Sequence, residues 1–307
     1  MFEAIQAFDD ALLHFVQNAL LGGTVFFDAV SLLGHPLVWL LAAAFLHWSS
    51  RENHGFFLVN LTVFSAAASG MLKLAFVRPR PSPSEFAVFP EPAFLERLGR
   101  SAVNAFSFPS GHATLIASVV SFYWKKMTAS WKATAVVVAA LVALSRLVLG
   151  VHFLSDVLAG IAIGIAIGKF AHWIQSELES HHFKLSKGED LAALLSCIGV
   201  ALGAVALFEP PAWALSLLGY YAGFFGAKEQ EFVQLPVRRD ALAVKCFFGL
   251  LGLSALAGLA FNEPSAGASM VWWFASGFWV SLAWPFIFDH AHRKRKQTVN
   301  RARKKAH

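Results

Sequence analysis

Nine stretches of this chain reach or approach the roughly 20 apolar residues that a helix needs to cross the hydrocarbon core of a bilayer. They run over 26–48, 55–77, 111–124, 133–149, 153–174, 190–208, 212–227, 241–261 and 269–288. So many such runs in one chain predict an all-α fold, a polytopic transmembrane helical bundle. The runs 111–124 and 212–227 are short, which tilting, flanking residues or re-entry would accommodate. Composition agrees: 57% hydrophobic residues against 14% charged is too apolar for a soluble globular surface. Disorder, collagen, coiled coil and disulfide scaffold are excluded on the same ground. Cys197 and Cys246 each sit inside an apolar run, without zinc spacing and without a disulfide framework.

Residues 1–25 read as an amphipathic helix lying in the membrane interface. Phe2, Ile5, Phe8, Leu12, Phe15 and Leu20 fall near helical spacing, with Glu3, Asp9, Asp10 and Gln17 among them. No basic segment precedes the first apolar stretch, so this helix is expected to be retained rather than cleaved as a signal peptide. Residues 26–175 then form a core of five spans, and 176–190 a polar linker. About four further spans occupy 191–290, and 291–307 is a basic tail.

The net charge of +6 would suit nucleic acid if it were spread over a soluble surface, but eight of the 25 Lys and Arg lie between Arg293 and Lys305. That clustering reads as a cytoplasmic anchor near anionic lipid, and no nucleic-acid partner is expected. With the tail placed inside and the spans alternating backwards, 19 of the 25 basic residues fall on the inner side. The expectation is N-out, C-in, in a bacterial-type inner membrane. The six outer residues, Lys73, Arg78, Arg80, Arg97, Arg100 and Arg146, need a reason to be there.

Three polar clusters supply one. Lys73 is followed after six residues by Arg80-Pro81 at the end of the second span. Pro109-Ser110-Gly111-His112 opens the third. Ser145-Arg146, His152 and Asp156 close the fourth and open the fifth. Two spans lie between the first cluster and the last, so parity puts all three on one face, expected to be the outer, periplasmic one. Lys73, Arg80 and Arg146 offer cationic donors suited to phosphoryl oxygens. Ser110 and Gly111 precede an apolar helix whose first amides point at an anion. His152 lies four residues before Asp156, whose carboxylate can hold one ring nitrogen as N–H and leave the other as a nucleophile. His112 remains to protonate a departing alkoxide and then to deprotonate water. The cations and the helix terminus supply the charge stabilisation, so neither metal nor cofactor is required.

K-x6-R-P, P-S-G-H and S-R-x5-H-x3-D, complete and in this order, resemble the three-part signature of the type 2 phosphatidic acid phosphatase superfamily. The resemblance covers about residues 25–175. It implies a metal-independent lipid phosphatase working through a phosphohistidine. His152 is then the nucleophile, Asp156 its orienting partner and His112 the acid and base, while Lys73, Arg80, Ser110, Gly111 and Arg146 bind phosphate. Vanadium haloperoxidases share the signature but are soluble, which the spans argue against. Family substrates include an isoprenoid diphosphate such as undecaprenyl diphosphate, phosphatidylglycerol phosphate and phosphatidic acid. Arg78, Arg97 and Arg100 stand outside the signature, either as headgroup or second-phosphate ligands, which would favour a diphosphate, or as simple interfacial anchors. Two other readings stay open: a phosphotransferase acting on a lipid such as lipid A, and a non-catalytic membrane binding or transport protein. Residues 176–290 carry no assignable chemistry, and the sequence leaves oligomeric state open.

Overall fold

The computed structural model describes residues 2–89, 105–180, 215–230, 232, 234, 239–263 and 265–292. Among these residues every regular element is helical, as lipid demands of a backbone that must satisfy its own polar groups. Six helices among the described residues are long and apolar enough to cross a membrane: Glu3–Gly34, Glu52–Phe76, Ala129–Val148, Leu154–Glu177, Ala241–Asn262 and Gly267–His292. Their outer faces expose Phe15, Val25, Phe170 and Trp173, where a soluble protein would show charge. This is an all-α, multi-pass membrane protein. The run 190–208, Cys197, most of the linker and the basic tail fall outside the described residues.

The chain divides into two compact units, Met1–Ala42 with Phe56–Phe183, and Ala43–Gly55 with Lys184–His307. The first holds α1 (Glu3–Leu20), α2 (Thr24–Ser31), α5 (Gly111–Tyr123), α6 (Ala129–Val148) and α7 (Leu154–Ser180). It also takes the first half of α3 (Pro36–Trp48) and most of α4 (Glu52–Phe76). The apolar run 26–48 is therefore not one helix. Pro36 disfavours helical backbone at the residue before it, and His35 is extended at φ −81°, ψ 133°. The first five residues of the expected linker, from Ser176, are the last turns of α7.

Helix α1 packs against α6 and α7. Its inward face carries Asp9, Leu13, Val16 and Gln17, while Phe8 and Phe15 point out. A carboxylate and an amide thus face the protein, the reverse of a simple interfacial helix with its polar residues in water. Leu13 and Val16 join Phe27, Phe86, Ala143, Leu147, Val148, Phe153 and Val157 in the core.

The tightest seam is between α5 and α7. A Cβ at Gly164 would lie 2.2 Å from the Thr114 carbonyl oxygen, and one at Gly168 2.3 Å from that of Ser118. Small residues four apart let two helix backbones approach this closely in a membrane. The N-termini of α5 and α7 are thereby held side by side, and these are the ends that carry His112 and Asp156.

Among the described residues the second unit comprises α8 (Leu215–Glu229), α9 (Arg239–Asn262), α10 (Ala266–Phe278) and residues 43–55, which are the end of α3, the turn after it and the start of α4. At 13 and 15 residues, α5 and α8 are shorter than a full span. Helix α10 passes through a π-helical turn, Trp279–Ala283, before continuing. Such a turn loosens the carbonyl ladder, and two carbonyls there take side-chain donors: Trp48 Nε1 donates to Val280 O at 3.0 Å, and His47 Nε2 lies 2.9 Å from Ser281 O. Lys245, fully buried, donates to Gln234 Oε1 at 2.9 Å and to Asp289 Oδ1 at 3.3 Å.

Candidate active site

Helix α4 delivers the first cluster. Its last turn carries Lys73, and Val77 closes it with a left-handed φ of 48°, its N–H donating to Lys73 O at 2.9 Å. Glycine is the usual residue at such a cap, and a branched side chain there costs about 1–2 kcal/mol. The backbone leaves the helix sharply and runs beside residues 105–110. Pro79 bridges to Phe106, Ser107 N–H donates to Arg78 O at 2.8 Å, and Lys73 Nζ donates to Phe106 O at 2.5 Å.

That neighbouring strap ends in the second cluster. Ser110 N–H donates to the Asp156 carbonyl at 3.0 Å, which pins the start of α5 to the first turn of α7. Ser110 occupies the N-cap position of α5, yet its hydroxyl makes no capping bond; it is buried without a hydrogen-bond partner among the described residues. The first-turn amides of any helix lack intrahelical acceptors, and here the nearest side chain leaves them to a ligand.

The third cluster straddles a turn that only glycine permits. Gly150 has φ 67°, and a Cβ on it would lie 2.1 Å from Ala87 O. Beyond it, Val151 O accepts Arg80 Nη1 at 3.3 Å, and His152 Nδ1 lies 3.7 Å from Asp156 Oδ2. Asp156 Oδ2 also accepts the Phe153 N–H at 2.9 Å. Arg146, 2% exposed at the end of α6, makes a short hydrogen bond to Ser31 Oγ from α2.

The positive charges of Arg80, Lys73 and Arg146 all bear on the His152 ring, and Arg146, His35, His152 and Arg80 all bear on that of His112. The structure thus brings all eight signature residues together. Lys73, Ser110, Arg146, His152 and Asp156 are buried, whereas Arg80, Gly111 and His112 keep partial exposure and mark the open side. Burial pushes the His152 imidazole well below its ordinary 6.5, and Arg80, Lys73 and Arg146 push it further the same way, against a hydrogen bond with the Ser107 backbone. The ring is consequently neutral near pH 7, the state a nitrogen nucleophile needs.

Arg78 is not where a headgroup ligand would be. It is 2% exposed and lies between two carboxylates, donating to Asp9 at 2.8 Å and to Asp156 at 2.7 Å. Its guanidinium is also sandwiched by the rings of Phe2 and Phe153, at 4.5 and 4.3 Å. The expectation of an outward arginine is corrected accordingly: a guanidinium this enclosed has no face left for a lipid. Arg97 and Arg100 lie outside the described residues.

Sequence reasoning passed over Asp9, Ser31, His35 and Ser69. His35 packs its ring edge-on to that of His112, centroids 5.9 Å apart. The buried Ser69 hydroxyl has no hydrogen-bond partner among the described residues and lies one turn before Lys73. None of the four belongs to a spaced motif; Asp9, Ser31 and His35 come from segments far from the clusters in sequence, whereas Ser69 precedes Lys73 on α4.

Residues 54–180 match the model of the PAP2 superfamily. The lipid A 4'-phosphatase of Porphyromonas gingivalis is 27% identical over 218 residues, 68% of this chain and 84% of that protein. The lipid A 1-phosphatase of the same organism is 35% identical over 101 residues, 31% of this chain and only 23% of its own length. Among solved structures, a PAP2-type phosphatidylglycerolphosphate phosphatase from Bacillus subtilis aligns with a TM-score of 0.44 at 23% identity, covering 57% of this chain and 88% of that one.

Proposed function

We propose that this chain, whose residues 54–180 match the PAP2 superfamily model, is a membrane phosphatase of that kind, and that its reaction is hydrolysis of a lipid phosphate monoester through a phosphohistidine. The carrying observation is the meeting of the three clusters. Lys73, Arg80 and Arg146 surround His152, while Ser110 joins the N-terminus of α5 to that of α7. A phosphoryl group seated among these cations also faces the first amides of α5. A neutral His152 nitrogen attacks phosphorus in line; a P–N bond forms as the P–O bond to the lipid breaks. His112 gives its proton to the departing alkoxide. It then takes one from water, whose oxygen attacks phosphorus and releases phosphate from His152. Asp156 stabilises the ring as it becomes cationic, and its 3.7 Å separation from Nδ1 shortens to a hydrogen bond as charge develops.

The proposed substrate is a glycolipid of the lipid A kind, and the proposed site faces outward from a bacterial inner membrane. Two observations support the substrate. The relative of which this chain spans 84% is a lipid A 4'-phosphatase, and Arg78, one of the three arginines that favoured a diphosphate, is engaged inside the protein. The test is phosphate release from a panel of lipid A, undecaprenyl diphosphate, phosphatidylglycerol phosphate and phosphatidic acid, with water as the sole acceptor and a chelator present. Lipid A is expected to be hydrolysed fastest, and His152→Ala is expected to abolish release. Chelator-sensitive turnover, an active His152→Ala protein, or phosphate appearing only when a lipid hydroxyl is supplied would each overturn the reading.

A further inference from the structure

Behind the proposed nucleophile stands a buried charge chain that reaches Asp156 from residues outside the three clusters. Asp9, on α1, is 1% exposed and 147 positions before Asp156. Its Oδ2 accepts Arg78 Nη2 at 2.8 Å and the Ser155 hydroxyl at 2.5 Å, and its Oδ1 accepts the Ser155 N–H at 3.1 Å. Arg78 Nη1 donates onward to Asp156 Oδ1 at 2.7 Å and to Ser155 Oγ at 2.6 Å. Gln6, one turn from Asp9, accepts Arg78 Nη2 at 2.9 Å. Every link is a charge-assisted hydrogen bond at good length.

We propose that Asp9 is a positioning residue for the phosphoryl-transfer site, acting through Arg78 and Ser155 to hold Asp156 against His152; this rests on the function proposed above. Arg78 fixes one oxygen of Asp156 and so aims the other at the ring. Alone, that guanidinium would also neutralise the carboxylate it holds. The second carboxylate shares its charge and leaves Asp156 able to stabilise a cationic ring. Asp9 further grips the Ser155 amide in the first turn of α7, fixing the backbone from which Asp156 projects. The N-terminal helix, which precedes the family-matching residues, is on this account part of the active centre.

The experiment compares full-length wild type, Asp9→Asn, Asp9→Glu, Ser155→Ala and His152→Ala in detergent, with lipid A as substrate and thermal unfolding measured alongside. Asparagine keeps shape and removes charge, so Asp9→Asn is expected to lower kcat by about 10- to 100-fold with KM within about 3-fold. Asp9→Glu restores part of the loss, and Ser155→Ala, which buries no new charge, lowers kcat by a smaller factor in the same pattern. If Asp9→Asn fails to fold, Ser155→Ala and Asp9→Glu carry the test. Unchanged kcat in these variants while His152→Ala is dead overturns the positioning role and leaves the phosphatase reading intact. A kcat that falls only in step with the fraction unfolded overturns it in the same way. A wild type that hydrolyses none of the lipid phosphates overturns both.

Discussion

Substituting Gly164 by Ala tests the seam that aligns the two histidine-bearing segments. The new Cβ would sit 2.2 Å from Thr114 O, 2.8 Å from Ala117 Cβ and 3.0 Å from Ser118 N. Carbon and carbonyl oxygen ordinarily meet no closer than about 3.3 Å, so α5 and α7 must part by about 1 Å at this level. Thr114 is two residues from His112, and Gly164 two helical turns from Asp156, so the displacement reaches the site. Overpacking of this kind costs about 1–3 kcal/mol, against which Ala returns up to about 1 kcal/mol of helix propensity. Stability therefore falls modestly, while a 1 Å shift between reacting groups is worth about 100-fold in rate. The assay is kcat and KM for lipid phosphate, with thermal unfolding in the same detergent. Gly258→Ala on α9, where nothing lies within 4 Å of the new Cβ, is the control and leaves activity unchanged. A Gly164→Ala enzyme within about 2-fold of wild type in kcat would refute the claim that this seam sets the catalytic geometry.

Two further outcomes follow from the site. Arg146→Lys keeps the charge but loses the planar fork that reaches Ser31, so kcat/KM should fall by about 100-fold with little change in thermal stability; an active lysine variant would show that only charge matters there. His152 is held well below its ordinary 6.5, so the unfolded chain takes up this proton first on acidification. The corresponding stability is complete above 6.5 and is lost as pH falls from there through the folded value. Thermal unfolding of wild type and His152→Gln across this window should converge as pH drops, and single-turnover labelling of wild type should show no loss at 6.5; an inflection there would place the ring's titration in the ordinary range.

The apolar runs and the three clusters were legible because each rests on local spacing. His152 and Asp156 are one helical turn apart, and Pro109 to His112 form one helix start. Pro36 announced its own break, although the unbroken hydropathy of 26–48 masked it. Asp9 and Arg78 were misread for a different reason. A carboxylate on an amphipathic helix and an arginine in an outer loop both look solvated when each is seen alone, and only their pairing across 69 positions makes burial affordable. The close approach of α5 and α7 was present in the sequence as Gly160, Gly164 and Gly168, but within an apolar span glycines carry no signal of which neighbour they face. Ser31 and His35 were hidden likewise, since nothing local says that α2 ends beside Arg146 and His112.

The π-turn in α10 bears on how far this protein can be pared down. His47 and Trp48, 2% and 1% exposed, hang from the carbonyls that turn releases, and they are the last two residues of α3. Cutting the chain after Phe183 to obtain a minimal enzyme would strip both of their acceptors and leave the Trp48 indole without the helix it is buried against. The segment after the π-turn's start is thus bonded to the end of α3, one helix before Lys73, so excision is not a neutral edit. Swapping domains with a shorter relative would have to carry residues 43–55 along with the extension.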